Sequence, residues 1–324
     1  MGHRKAGASL GKEGESGLEP LISPRLDVAL TGKLPCVICG YELKGLSILS
    51  NCPECGTAVR ATILSRVDPY ADELRPLLAP RLTSFSLVLW SLGGCLLMVA
   101  CWTPRLADLL GAFVLFRPPT DLAAPVALVA AGLSGLGILG VVKPSHETPP
   151  RRSLGVVAAA LAYGPLIWAM WVIHTRIDPH TSAPYFGAGW APGGLRSVMR
   201  LVLDASAITI LLGARPVARE LVRRSLALRT GRVDRQTILA MVGALLLSAI
   251  GDLLHLAVAF TPENSAAGGY LELFGGFFIA LGSGLLSLGL IGSLIDSWRI
   301  GRAILTPAPS KWQVVDKEQP SPLG

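Results

Sequence analysis

Charge is what this 324-residue chain has least of. Asp, Glu, Lys and Arg together make up 16 % of it, a share that does not suit an ordinary soluble domain. The stretch from Met1 to about Thr31 lacks the apolar h-region of a signal peptide, so export by that route is not expected. Its Gly, Ser, Lys and Glu read as a disordered tail over residues 1–31. There is no His-Glu-x-x-His, no Gly-x-Ser-x-Gly and no phosphate-binding loop, so no enzyme chemistry is legible in a motif. Nor is any internal repeat clear enough to argue for an inverted-repeat transporter.

What fills the chain instead is hydrocarbon. Hydrophobic residues reach 51 % and mean hydropathy +0.52, and the chain holds 36 glycines besides. That is the profile of a polytopic membrane protein whose helices tolerate glycine. The expected fold is all-α: six transmembrane helices over residues 82–298, behind a small N-terminal four-cysteine zinc ribbon.

The most specific signal is the pair of turns Cys36-Val37-Ile38-Cys39-Gly40-Tyr41 and Asn51-Cys52-Pro53-Glu54-Cys55-Gly56, with twelve residues between Cys39 and Cys52. Two thiolates two residues apart can grip one tetrahedral ion, and a second such pair closes its shell. Gly40 and Gly56 stand where such turns call for positive φ, and Pro53 stiffens the second. Residues 32–60 are too few to build a core alone, so metal would supply the folding free energy. The expected metal ligands are therefore Cys36, Cys39, Cys52 and Cys55. Two disulfides are the competing arrangement, and a reducing compartment disfavours them. Cys95 and Cys101 lie inside an apolar run and read as small packing residues.

These turns resemble the short zinc ribbons at the N-termini of uncharacterised bacterial membrane proteins. They are also similar to the two metal turns of rubredoxin, which implies a single iron as the alternative to zinc. Rubredoxins carry a longer, acidic and aromatic insert, whereas Tyr41 through Ser50 hold no Trp or Phe, a departure that favours Zn2+. Lys33, Lys44 and Arg60 against Glu42 and Glu54 leave the ribbon nearly balanced. That balance points to a protein partner and away from nucleic acid.

Residues 61–81 read as a linker broken by Pro69, Pro76 and Pro80. Six apolar runs then approach the roughly 20 residues that cross a bilayer: 82–103, 122–142, 153–174, 195–214, 237–260 and 270–295. Leu106–Phe116 is too short to span and is expected to lie in the interface. Arg66, Arg75 and Arg81 precede the first run, and Lys143, Arg151 and Arg152 follow the second. Seven arginines crowd Arg215–Arg235, and Arg299, Arg302, Lys311 and Lys317 lie in the 299–324 tail. The opposite loops hold only Arg105, Arg117, Arg176 and Arg196. The positive-inside rule then puts both termini in the cytoplasm, in the bacterial inner membrane that the resemblance implies.

Several finer expectations follow. Arg215–Arg235 is expected to form an interfacial helix on anionic lipids. Gly276, Ala280, Gly284 and Gly292 should form one packing face of the last helix, and Gly132, Gly135, Gly137 and Gly140 another on the second. Trp102, Trp168 and Trp171 should mark the outer interface and Trp298 the inner.

Ionisable residues inside the spans are costly and mark function by default. Arg200 and Asp204 lie one turn apart on the fourth run, Asp252 and His255 on the fifth. Counting from the outer ends at 1.5 Å per residue, Asp204 and Asp252 share a depth of roughly 12 Å. Arg200 and His255 share one nearer the mouth, with His174, His180 and Glu272 around it. This intramembrane polar cluster is either a proton- or ion-handling site of a small transporter or channel, or a salt-bridged staple. An intramembrane aspartyl protease does not fit, because Ala249-Ile250-Gly251-Asp252 lacks the first glycine of Gly-x-Gly-Asp. The leading expectation is a membrane protein whose cytoplasmic ribbon docks or regulates, with transport through the Asp204/Asp252 layer as the alternative.

Overall fold

The computed structural model describes residues 29–67, 77–111, 122–146, 148–178, 194–228, 237–258, 260–262 and 265–305. The expectations for the two tails, for His180, Arg117 and for 229–235 fall wholly or largely outside these.

The N-terminal module contains no strand among the described residues. It is tied by three isolated antiparallel bridges, Ala29 to Ser47, Pro35 to Glu42 and Asn51 to Ala58. Its small core is Cys36, Leu43, Cys52 and Val59. Helix α1 (Val59–Val67) starts as the last bridge ends, so the first part of the expected linker is ordered helix. Ala61, Thr62 and Ser65 on α1 are fully buried, and α1 packs against α5 of the bundle.

Six further helices follow: α2 (Pro80–Gly111), α3 (Ala123–Leu139), α4 (Pro150–Val172), α5 (Leu195–Leu228), α6 (Thr237–Val258) and α7 (Ala266–Ile304). Each packs on its neighbours in sequence, and α7 returns to α2, so the six close into a ring. All neighbours run antiparallel. Gly93 of α2 lies on Ser134 of α3 and Gly137 on Trp90, and a Cβ on Gly155 of α4 would come 3.0 Å from the Gly213 carbonyl of α5. Gly251 and Gly282 lie against the facing backbones of α7 and α6, and Trp102 Nε1 donates to Ser287 Oγ of α7 at 2.9 Å. Small residues at these crossings let the backbones approach where apolar burial between helices offers little.

Five of the helices are long and apolar enough to cross a membrane; α3, with 17 residues, is the shorter apolar one. Other expectations change. Helix α2 runs through Pro104 to Gly111, so the start of the supposed interfacial segment continues a long helix. Likewise α5 continues through Pro216 to Leu228. Val217 and Leu221, expected to face lipid, are buried in the bundle core, and Arg224 is buried beside them.

On α7 the buried glycines are Gly268, Gly275, Gly282 and Gly301; the first three are spaced seven apart, and Gly289 continues that spacing against Met241. Nothing lies within 4 Å of where Gly276 or Gly284 would carry a Cβ. A four-residue spacing drifts around a helix, whereas seven holds one seam against an antiparallel partner. On α3 the expectation suits Gly135, Gly137 and Gly140, which meet Tyr163, Trp90 and Ser86, but not Gly132. Trp168, Trp171 and Trp298 are exposed as belt residues should be. Trp102 instead turns inward to α7.

Candidate metal centre and bundle cavity

The two cysteine turns repeat one backbone pattern. The N–H of Cys36 donates to the Tyr41 carbonyl at 2.8 Å and that of Cys52 to the Thr57 carbonyl at 2.7 Å. Gly40 and Gly56 each donate back to the first cysteine carbonyl of their turn at 2.9 Å, with φ of 77° and 73°. Such φ values are open to glycine and costly to side chains, which is why each pair is followed by one.

The turns face each other. Sγ atoms of Cys36 and Cys55 lie 3.6 Å apart, those of Cys39 and Cys52 3.5 Å apart, and all four within 4.8 Å. Metal–sulfur bonds of about 2.3 Å in a tetrahedron separate the sulfurs by roughly 3.8 Å. The donor set therefore fits one ion, and none of the four is in a disulfide.

Electrostatics agree with a site that wants a cation. A backbone N–H at Tyr41 favours the Cys39 thiolate, but desolvation and the three neighbouring sulfurs outweigh it and push Cys39 up to about 12. Desolvation pushes Cys52 up as well. Burial opposes ionisation of Cys55, yet the Thr57 hydroxyl 3.2 Å away, its backbone N–H and the other thiols bring Cys55 down to about 7. The Cys55 thiolate forms readily, and Cys39 and Cys52 resist until positive charge is placed among them.

The second candidate is inside the ring. A cavity of about 270 Å³ is lined by all six helices. Its polar groups gather at the end away from the module. Arg200 Nε of α5 lies 3.2 Å from Asp252 Oδ1 of α6, and Asp252 is fully buried behind it. With that pair in register, the next turn of each helix sets Asp204 opposite Ser248, and both line the cavity. Asp204 Oδ2 is buried with no hydrogen-bond partner. Three of the four expected residues thus meet. The fourth, His255, turns to α7, where its Nε2 meets the Glu272 carbonyl at 3.1 Å.

One group the sequence did not flag is Asp178. After Val172, α4 widens into a π turn over Ile173–Ile177, a rare distortion that often accompanies functional sites. Along this turn His174 Nδ1 lies 3.1 Å from Asp178 Oδ2, while Arg196 reaches Asp178 Oδ1 at 3.1 Å from α5. An i, i+4 His–Asp pair ahead of Arg196 was the available signal. At the opposite end of the chamber, Trp90 Nε1 donates to Tyr163 Oη at 3.0 Å, Tyr163 pairs with Ser134 Oγ at 2.7 Å, and Ser134 donates to the Trp90 carbonyl.

No protein-family model, curated protein or solved structure matches this chain. The geometry therefore carries the functional argument alone: a four-cysteine cluster that can hold a metal ion, and a helical ring around a polar-capped cavity.

Proposed function

We propose that this chain is a six-span protein of the bacterial cytoplasmic membrane that holds a small solute in its helical ring, regulated by a zinc-bearing module on the cytoplasmic side. The observation that carries the reading is the continuity of α5. Its first turns bear Arg196, Arg200 and Asp204 at the cavity, and the same helix packs against α1 of the module. Thr62 of α1 in turn approaches Cys36 Sγ at 4.0 Å. A rigid helix in contact with both couples them mechanically. Zinc suits four thiolates and needs no redox partner; iron is the alternative ion for the same donor set.

On this reading α3 is the sixth span, short but enclosed between α2 and α4, and both termini are cytoplasmic. Arg219 and Arg223, exposed on the α5 extension, face the anionic headgroups of the inner leaflet. Transport of the solute by the Asp204/Asp252 layer is the stronger form of the proposal. A protein partner is the second reading, favoured by the exposure of Tyr41, Cys39 and Cys55 on one side of the module.

Cys101, which lines the cavity, provides the test. Purified full-length protein should contain one zinc per chain, lost in Cys36→Ser and Cys52→Ser variants. Stripping zinc should change the rate at which Cys101 takes a maleimide, read at the peptide by mass spectrometry. Zinc present but without effect on Cys101 would sink the regulatory coupling and leave the docking reading.

A further inference from the structure

Taking the cavity as a solute site, its charges and walls restrict what the solute can be. Three guanidiniums and three carboxylates surround the polar end, but they are not equally engaged. Arg200 is taken by Asp252, and Arg196 by Asp178, which also faces His174. Arg105 lies over the Trp102 ring at 5.4 Å. Asp204 hydrogen-bonds Ser248 and faces the chamber with a buried Oδ2 that accepts no hydrogen bond; Asp178 Oδ1 and both Asp252 oxygens accept none either, but each of those carboxylates has a guanidinium against it. A buried acceptor in that state is costly, and a cationic donor relieves both the charge and the missing bond.

The rest of the chamber offers nothing comparable. Beyond Asp204 its walls are mainly Leu203, Ala207, Leu211, Met241, Leu245 and Leu286, with the neutral hydroxyls of Ser91, Ser248, Ser283, Ser287 and Ser293 among them. Trp90, Tyr163 and Ser134 satisfy one another in a closed set of hydrogen bonds, so they present ring faces to a ligand and hold their donors back. Methionine side chains adapt to varied hydrocarbon shapes. At about 270 Å³ the space lies near the lower end of small-molecule pockets, which run from roughly 300 to 1,000 Å³.

We propose that the cavity binds a small lipophilic amine, its ammonium group on Asp204 and its hydrocarbon body along the wall of α5, α6 and α7. A carboxylate of the same shape would meet Asp204 with like charge, and an alcohol would bring no charge to it.

Three probes of one shape test this on the zinc-loaded, full-length protein in nanodiscs: 4-phenylbutylamine, 4-phenylbutanol and 4-phenylbutanoate. The amine should bind saturably by calorimetry and protect Cys101 from maleimide. The alcohol and the acid should bind roughly tenfold or more weakly, the scale of a missing hydrogen bond to a charged group. Asp204→Asn should weaken the amine by a similar factor while Asp204→Glu retains it. Equal or tighter binding of the acid would overturn the proposal in favour of the arginines, and equal binding of the alcohol would make the site merely apolar. Failure of all three to bind also overturns it. The zinc-dependent labelling of Cys101 then reports separately on whether the coupled cavity of the wider reading survives.

Discussion

Arg200 and Asp252 show what a single pair of side chains does to the interior of this molecule. Asp252 is wholly buried, and its Oδ1 faces the Arg200 guanidinium 3.2 Å away. Asp252→Asn would leave that guanidinium among apolar helices without its counter-charge. Losing one partner of a buried pair costs roughly 3–5 kcal/mol, so the variant should unfold at clearly lower denaturant or temperature. Asp204→Asn removes a carboxylate with an unsatisfied oxygen and should leave stability unchanged or raised. Thermal unfolding of the two variants in the same detergent checks the contrast. Equal losses would mean that Asp204 is also part of the staple. The pairing of α5 with α6 was legible because helical spacing and depth are countable from sequence. His255 was placed wrongly because depth says nothing of which neighbour a side chain faces. Asp178 escaped because it lies four residues beyond the end of the 153–174 run, so a count confined to the spans passes over it. The cysteines were the easiest to read, since two short turns fix four donor atoms almost without help from the rest of the fold.

At the scale of elements, α7 separates what a small residue does inside a seam from what it does facing outward. A Cβ on Gly282 would meet the Ala244 carbonyl at 2.5 Å and the Ser248 nitrogen at 2.7 Å, both backbone atoms that cannot rotate away. A Cβ on Gly276 would meet nothing within 4 Å. Gly282→Ala should therefore force α6 and α7 apart and destabilise by about 1–3 kcal/mol, the usual cost of overpacking. Gly276→Ala should be neutral or slightly stabilising, because alanine favours the helix. Unfolding midpoints of the two variants decide it, and matching behaviour would contradict the assignment of the seam. The length of α5 was the element hardest to foresee. The arginines of Arg215–Arg235 suggest a separate interfacial helix, but Val217 and Leu221 lie in a buried surface of the bundle, and packing there overrode the local signal.

The whole molecule has one property that no run of residues could announce, the closure of α7 on α2. Sequence yields candidate spans and the sides on which basic loops fall; it does not yield the order of helices around a ring. What closure adds is a chamber between the helices, with its polar mouth and the metal module at opposite ends of the bundle. The direction of that axis across the membrane rests on the basic loops, which is a separate argument and can fail separately. Arg151 is exposed at the module end, in the first turn of α4, and Pro262 is exposed at the other, between α6 and α7. With Cys101 replaced, Pro262→Cys should react with a membrane-impermeant maleimide in intact cells, while Arg151→Cys should react only after permeabilisation. The reverse pattern would place the four-cysteine module in an oxidising compartment. Its thiols would there form disulfides in preference to holding zinc, so a topology experiment also tests the metal chemistry on which the regulatory reading stands.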